Sequence, residues 1–342
     1  MKKIAVFTIL CCVFFVLKPY FSEKYYMDNL VDNYFDTEIL RGSNIKEVIH
    51  IKYIKDTDHL IIVSKRGWEH RVVNSIDMFV NAFNIVRNKI ENDFSVDIDT
   101  SDFTRNDKAF AFNFRGGKSD KLIPDFLFVS WPETGIDNYD EACRQIENAG
   151  KEPYVYDKIF WIGNASTNAM RRKLVKIGAE NENFEFIPMR WFSHSEDTSE
   201  VEKLKRVNAT TYVSLPDHTK YKYLIDVPGI GYSARVKLLL FSGRPLFYVA
   251  RQDEEFYMKD LKPFVHYIPV KGDLSDLEEK YQWAEEHYDE AQQIARNALD
   301  YAKTHLTKNA VLVRYSHMIL DYAESQKKQP LRPKFLPINQ HQ

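Results

Sequence analysis

Apolar residues along the chain fall into two recurring patterns. Val48-Ile49-His50-Ile51 and Leu60-Ile61-Ile62-Val63 are short runs of strand length. A helix is predicted next, because Val73, Ile76, Phe79, Phe83, Val86 and Ile90 recur every three or four residues and share one face. Phe110 to Phe114 and Phe126 to Val129 read as further strands. Asp137 opens a helix with Ala142 and Ile146 on one side, stopped by Gly150. The second half repeats the alternation. Strands are predicted over 158–162, 184–187, 212–215, 223–226, 246–249 and 267–270. Helices run from Ala169 to Ile177, ended by Gly178, and from Ser233 to Phe241, ended by Gly243. Ser275-Asp276-Leu277-Glu278 reads as a capping box before a last helix pair, whose mostly alanine stripe (Ala284, Tyr288, Ala291, Ala295, Ala298, Ala302) suits close packing. Strand and helix alternating twice over predict an α/β protein with mostly parallel sheets. Ligands of such sheets lie beyond the carboxyl ends of the strands, so two sheets imply a cleft between them.

The chain of 342 residues suits two domains. Residues 1–21 form a hydrophobic anchor or signal. Lys2 and Lys3 precede the apolar run Ile4 to Leu17, which is short for a spanning helix, and Lys18-Pro19-Tyr20-Phe21 follow as an interfacial anchor. A cleaved signal and a buried element are the other readings of that run. Residues 22–44 read as a helical linker ending near Gly42. The first domain spans 45–150, the second 151–306, and a C-terminal helix and tail 307–342. A net charge of −2 with no basic stripe argues against nucleic acid as a partner. Of three Cys, Cys11 and Cys12 lie in the apolar run, so Cys143 has no disulfide partner in the folded part, which favours a reducing compartment.

The segment richest in chemistry is Asp217-His218-Thr219-Lys220-Tyr221-Lys222-Tyr223-Leu224-Ile225-Asp226-Val227-Pro228-Gly229-Ile230-Gly231-Tyr232-Ser233-Ala234-Arg235-Val236-Lys237. A strand enters a turn and then a helix. Gly229 and Gly231 permit positive φ and close backbone approach. Ser233 at the helix N-terminus and the forked cation of Arg235 suit a phosphate. A structural strand-to-helix turn with a solvated Arg is the plain alternative.

This segment resembles the donor-site motif of glycosyltransferase family 90, the group of capsule-associated and Rumi-like protein O-glucosyltransferases. The likeness continues through Leu261-Lys262-Pro263-Phe264-Val265-His266-Tyr267-Ile268-Pro269-Val270 and Asp273-Leu274-Ser275-Asp276-Leu277. Upstream, Lys158-Ile159-Phe160-Trp161-Ile162-Gly163-Asn164 is similar to the family's strand-turn facing the donor diphosphate. The resemblance implies a GT-B architecture, two Rossmann-like domains facing a cleft. It also implies a UDP-sugar donor, inversion at the anomeric carbon, no cofactor and no required metal. Ser233 and Arg235 fall on donor-contact positions of the family, and Arg171 and Arg172 lie near a family Arg. Gly163, Asn164, Arg171, Gly231, Tyr232, Ser233, Arg235 and Lys237 are the expected donor-binding set. Members acting on protein carry an Arg just after the Gly-Ser pair, where this chain has Ala165.

Direct displacement needs a carboxylate to take the acceptor proton. Rumi-like members have an Asp where this chain has Ser130, and Glu133 is the nearest carboxylate after that segment, so Glu133 is the expected base. Asp56-Thr57-Asp58 and Asp97-Ile98-Asp99 are D-x-D triplets without supporting context, and His194, His218, His266 and His305 lack metal-ligand spacing. The expected function is transfer of a hexose or pentose from a UDP-sugar to a lipopolysaccharide or capsule glycan. The enzyme would be membrane-associated through its N-terminal segment, at the cytoplasmic face. The alternatives are a protein O-glycosyltransferase on Ser or Thr in the secretory-pathway lumen, and a non-catalytic nucleotide- or carbohydrate-binding module.

Overall fold

The computed structural model describes residues 37–41, 48–64, 69–102, 104, 106–115, 119–190, 211–253 and 255–327. The hydrophobic segment 1–21, and the basic tail beyond 327, lie outside them. Among the described residues no helix is long and apolar enough to cross a membrane.

Two five-stranded sheets organise the chain. The first contains β1 (Thr37–Arg41), β2 (Val48–Ile54), β3 (His59–Ser64), β4 (Phe94–Asp99) and β5 (Phe110–Ala111), in the order β1-β3-β2-β4-β5. It is mixed rather than parallel as expected. β2 is antiparallel to β3 and β4, whereas β1 pairs parallel with β3 and β5 with β4. The tight turn Lys55 to Asp58 causes the reversal: Asp58 donates its backbone N–H to the Lys55 carbonyl at 3.0 Å and has φ 51°, which Asp tolerates better than most residues. The first D-x-D triplet is therefore a hairpin turn. Residues 37–41, expected within a helical linker, form an edge strand instead.

The second sheet contains β6 (Tyr156–Asn164), β7 (Phe184–Met189), β8 (Tyr221–Asp226), β9 (Leu246–Val249) and β10 (Ile268–Val270). All pairings are parallel, in the order β10-β9-β8-β6-β7. This is an open doubly wound sheet whose strand order reverses between β6 and β8, the point where such sheets bind ligands. Both faces are buried, as a parallel sheet requires: Ile159, Trp161, Tyr223 and Ile225 pack in one cluster, Phe160, Ile162 and Leu224 in the other.

Helix α1 (Glu69–Val86) packs in the first half, and α2 (Tyr139–Gly150) follows it. A side chain at Gly150 would meet the Ser242 carbonyl at 2.0 Å, so only Gly allows this helix end to approach the second half so closely. In the second half come α3 (Ala169–Ala179), α4 (Leu215–His218), α5 (Val236–Leu239), α6 (Leu277–Glu286) and α7 (Tyr288–His305). The alanine stripe is buried as expected, through Ala291, Ala295, Ala298 and Ala302. The capping box is not formed: Asp276 Oδ1 instead accepts the Lys271 N–H at 2.9 Å. Helix α8 (Lys308–Gln326) returns to the first sheet. Tyr315 meets Phe79 edge-on at 6.0 Å, Tyr322 meets Phe110 at 5.0 Å, and Asn92 Nδ2 donates to the Ala323 carbonyl at 2.9 Å.

The halves meet through the segments after their strands. Arg115 Nε donates to Asp253 Oδ1 at 2.9 Å, and its Nη2 to Asp253 Oδ2 and the Ile230 carbonyl, each at 2.6 Å. Lys237 Nζ, fully buried, lies 3.0 Å from Asp125 Oδ2 and 2.5 Å from Glu255 Oε1.

Candidate active site

At the switch point β8 ends on Asp226, which is fully buried. Ser233 Oγ donates to Asp226 Oδ1 at 2.8 Å, and Arg251, just beyond β9, donates from Nη1 to Asp226 Oδ2 at 2.7 Å. Arg235 Nε approaches Asp226 Oδ1 at 3.5 Å, and its Nη1 donates to the Ile162 carbonyl at 2.6 Å. Arg171, on α3, donates from Nε to the Pro228 carbonyl at 2.9 Å and lies over the Trp161 ring. Burial, and then the charges of Arg235 and Arg251, pull the Arg171 guanidinium down to about 10. Arg235 and Arg251 thus share one buried carboxylate, and Arg171 stands close enough to feel the charge of both. Unneutralised buried charge costs several kcal/mol per ion, so the cluster is suited to an anionic ligand. A diphosphate matches the forked donors.

The surrounding turns are held by side chains. Asn168 caps α3, accepting the Arg171 N–H at 2.9 Å, and donates from Nδ2 to the carbonyls of Pro228 and Gly229 at 2.9 and 2.6 Å. It fixes the turn after β8 against the start of α3. Asn164 Oδ1 accepts from Ser166 N and Oγ at 2.9 and 2.6 Å, so its side chain caps the turn after β6. His218 is buried edge-on to Phe160 at 4.8 Å, and burial followed by the charge of Arg235 pushes it down to about 3.

Several expected donor contacts have other roles. Lys237 is enclosed by Asp125 and Glu255 at the junction of the halves, where it has no room for a ligand. Tyr232 donates its hydroxyl to Asp125 at 2.9 Å, another tie between the halves. Gly163 makes space for Trp161, whose ring a Cβ would meet at 2.7 Å. Neither Gly229 nor Gly231 has positive φ; the glycines that do are Gly135 and Gly243 among the described residues. The helix expected over 233–241 is reduced to α5, with a 3-10 turn Leu240–Ser242 after it. Ser233, whose hydroxyl turns back to Asp226, lies before the helix, so no long dipole points at the site. The phosphate argument passes from a helix N-terminus to guanidinium groups.

Arg171, Ser233 and Arg235, three of the expected donor-binding residues, lie together around the turn after β8. Asp226 and Arg251 join them unforeseen. The signal available for Arg251 is its place just after the buried run Leu246 to Val249, at the carboxyl end of a strand.

In the first half the run Phe126 to Phe128 is a 3-10 turn rather than a strand, capped by Asp125 Oδ1 accepting from Leu127 N at 3.2 Å. A second such turn, Pro132–Thr134, carries Glu133. Its side chain is 45% exposed, and His70 Nδ1 lies 2.7 Å from Oε1. Glu133 Oε2 is sealed from solvent and has no hydrogen-bond partner among the described residues. Ser130, in the position of the family's Asp, accepts from Asn74 Nδ2 through Oγ and its carbonyl, both at 3.0 Å. Phe126 links this wall to the other half, 5.9 Å from Phe112, which is 6.5 Å from Tyr232. Asp97 of the second D-x-D triplet pairs with His50 at 2.6 Å, and Asp99 accepts from Ser101. Among the described residues no group of three or more His, Cys, Asp or Glu is arranged to hold a metal ion.

Comparison with known proteins gives these residues a context. Protein O-glucosyltransferase 2 of Danio rerio is 35% identical over 175 residues, covering 51% of this chain and 34% of that protein. Protein O-glucosyltransferase 1 of Homo sapiens is 38% identical over 112 residues, covering 33% and 29%. The O-glucosyltransferase rumi homolog of Aedes aegypti is 33% identical over 114 residues, covering 33% and 28%. The chain spans about a third of the length of the curated relatives it matches. A sucrose-phosphate synthase structure from Thermosynechococcus elongatus overlays with a TM-score of 0.32 and 10% identity, over 55% of this chain and 44% of that one. The profile of Glycosyl transferase family 90 matches residues 99–337, which hold the whole second sheet, its arginine cluster and Glu133, and the chain belongs to that family.

Proposed function

We propose that this protein is an inverting glycosyltransferase that moves a sugar, a hexose or pentose, from a UDP-sugar to a Ser or Thr hydroxyl of a protein. The observation that carries this reading is the cluster of Arg171, Arg235 and Arg251 around Asp226 at the reversal point of a parallel sheet. Preorganised cations at that place stabilise a departing diphosphate. Protein O-glucosyltransferases among the relatives favour a protein hydroxyl over the lipopolysaccharide or capsule glycan expected from the sequence, and make glucose the first sugar to test. The matching compartment is the secretory-pathway lumen rather than the cytoplasmic face. A GT-B arrangement is supported by contacts between the two halves beyond their strands, through Arg115 with Asp253 and Asp125 with Lys237.

In this reading Glu133 takes the proton of the acceptor hydroxyl. The oxygen bonds to the anomeric carbon, the bond from that carbon to the diphosphate oxygen breaks, and UDP leaves with the electron pair. One displacement inverts the carbon. A half-exposed carboxylate side chain on this turn suits proton transfer.

Substitution of the family's Asp by Ser130 keeps a second reading in view, a binding module without turnover. Release of UDP from a panel of UDP-sugars, with a Ser/Thr-rich protein and a glycan as acceptors, separates the two. Turnover that rises with the protein acceptor is expected. UDP binding with no turnover on any donor would leave the binding module.

A further inference from the structure

The first two turns of α1 face the segment that carries Glu133 through three side chains. Asn74 Nδ2 donates to the carbonyls of Phe126 and Ser130 and to Ser130 Oγ. Arg71 lies over the Phe126 ring at 4.9 Å and donates from Nη1 to Asp102 at 2.8 Å. His70 stands edge-on to the same ring at 5.4 Å, with Nδ1 2.7 Å from Glu133 Oε1. Helix and turn are thus fixed to each other before the His70–Glu133 contact is counted.

We infer that His70 is a positioning residue for Glu133: its Nδ1–H, directed at Oε1, fixes the orientation in which the half-exposed carboxylate side chain meets the acceptor. This rests on the proposed role of Glu133 as base. A Glu on a half-exposed turn has several rotamers to lose, and one fixed hydrogen bond reduces that freedom. His70 is largely covered, and burial together with the charge of Arg71 pulls its pKa down against the opposing effect of Glu133. A neutral ring this close to a carboxylate places its proton on Nδ1. Among the described residues the charged groups beside the pair are Arg71 and its partner Asp102; Asn74 and Ser130 are neutral. A donor to the ionised carboxylate favours that form.

The test is hydrolysis of UDP-glucose by the full chain, with water as acceptor, followed from about pH 5 to 9. His70→Ala should lower kcat about 10- to 100-fold and move the acid limb of the kcat profile to higher pH, with the KM for UDP-glucose unchanged. His70→Asn, whose amide nitrogen can replace Nδ1, should restore the limb. His70→Gln, which mimics the other ring nitrogen, should not, and this pair decides the matter if His70→Ala does not fold. Glu133→Gln, run alongside, should lower kcat about 10²- to 10⁴-fold. If Glu133→Gln is inactive while His70→Ala keeps the parent kcat and limb, His70 has no positioning role and the base stands. Equal limbs for the Asn and Gln variants would likewise remove the positioning role. If Glu133→Gln turns over normally, the base lies elsewhere and the role of His70 falls with it.

Discussion

Arg251 grips Asp226 twice, with Nη1 on the carboxylate oxygen Oδ2 at 2.7 Å and Nη2 on the backbone carbonyl at 2.9 Å. The pair joins the carboxyl ends of two neighbouring strands at the floor of the arginine cluster. Ser233 occupies the other carboxylate oxygen. Asp226 is therefore committed to the protein, and positive charge is left over for a ligand.

Arg235 should carry donor binding. Arg235→Ala is expected to weaken UDP binding by about 2–4 kcal/mol, the worth of a largely desolvated, charge-assisted contact to phosphate. Titration calorimetry on a folded variant measures it. Unchanged affinity would remove the donor from this cluster.

Arg251 should matter first for stability. Arg251→Met leaves Asp226 buried without its best partner, which typically costs about 3–5 kcal/mol. Adding Asp226→Asn removes the stranded charge, so the double variant should recover part of that loss in urea denaturation. Losses that simply add would mean that the two residues act independently.

The motif 217–237 is legible because strand, turn and polar residues follow one another directly in the sequence. The details are less so. The buried run Phe126 to Val129 has the composition of a strand, and periodicity cannot separate a short buried strand from a compact turn. The cap by Asp125 decides it. Tyr212 to Leu215 misleads in the same way: Ser214 caps α4 by accepting from Asp217 N at 3.3 Å, so the chain turns there. Lys237 stands in a cationic motif, yet its partners Asp125 and Glu255 lie well outside that motif and meet it only in the fold. His70 and Glu133 are likewise joined by tertiary packing, which no local pattern announces.

Metal independence is a further expectation, because guanidinium groups already supply the positive charge that a metal would bring to the leaving diphosphate. Chelator should leave UDP release unchanged. Activity lost in chelator and regained with manganese would overturn the GT-B reading.

Glu255 makes stability depend on pH. It is buried with Asp125 and Lys237 at the junction of the halves, two carboxylates around one ammonium, with the Tyr257 hydroxyl donating to Glu255 Oε2 at 2.8 Å. Burial pushes its carboxyl up to about 7, against the opposing pull of Lys237 and with help from the charge of Asp125. An unfolded Glu titrates near 4.5, so between these values the folded chain binds more protons than the unfolded one. Stability then falls as pH rises. The contribution is fully present below about 4.5 and is lost as pH passes through about 7. Glu255→Gln keeps the shape and one carbonyl oxygen for Lys237 but cannot titrate. Urea denaturation of both proteins across this range should show the parent losing stability relative to the variant, with the difference levelling off above neutral pH. Parallel curves would mean that Glu255 stays ionised throughout, held by Lys237 as an ordinary ion pair.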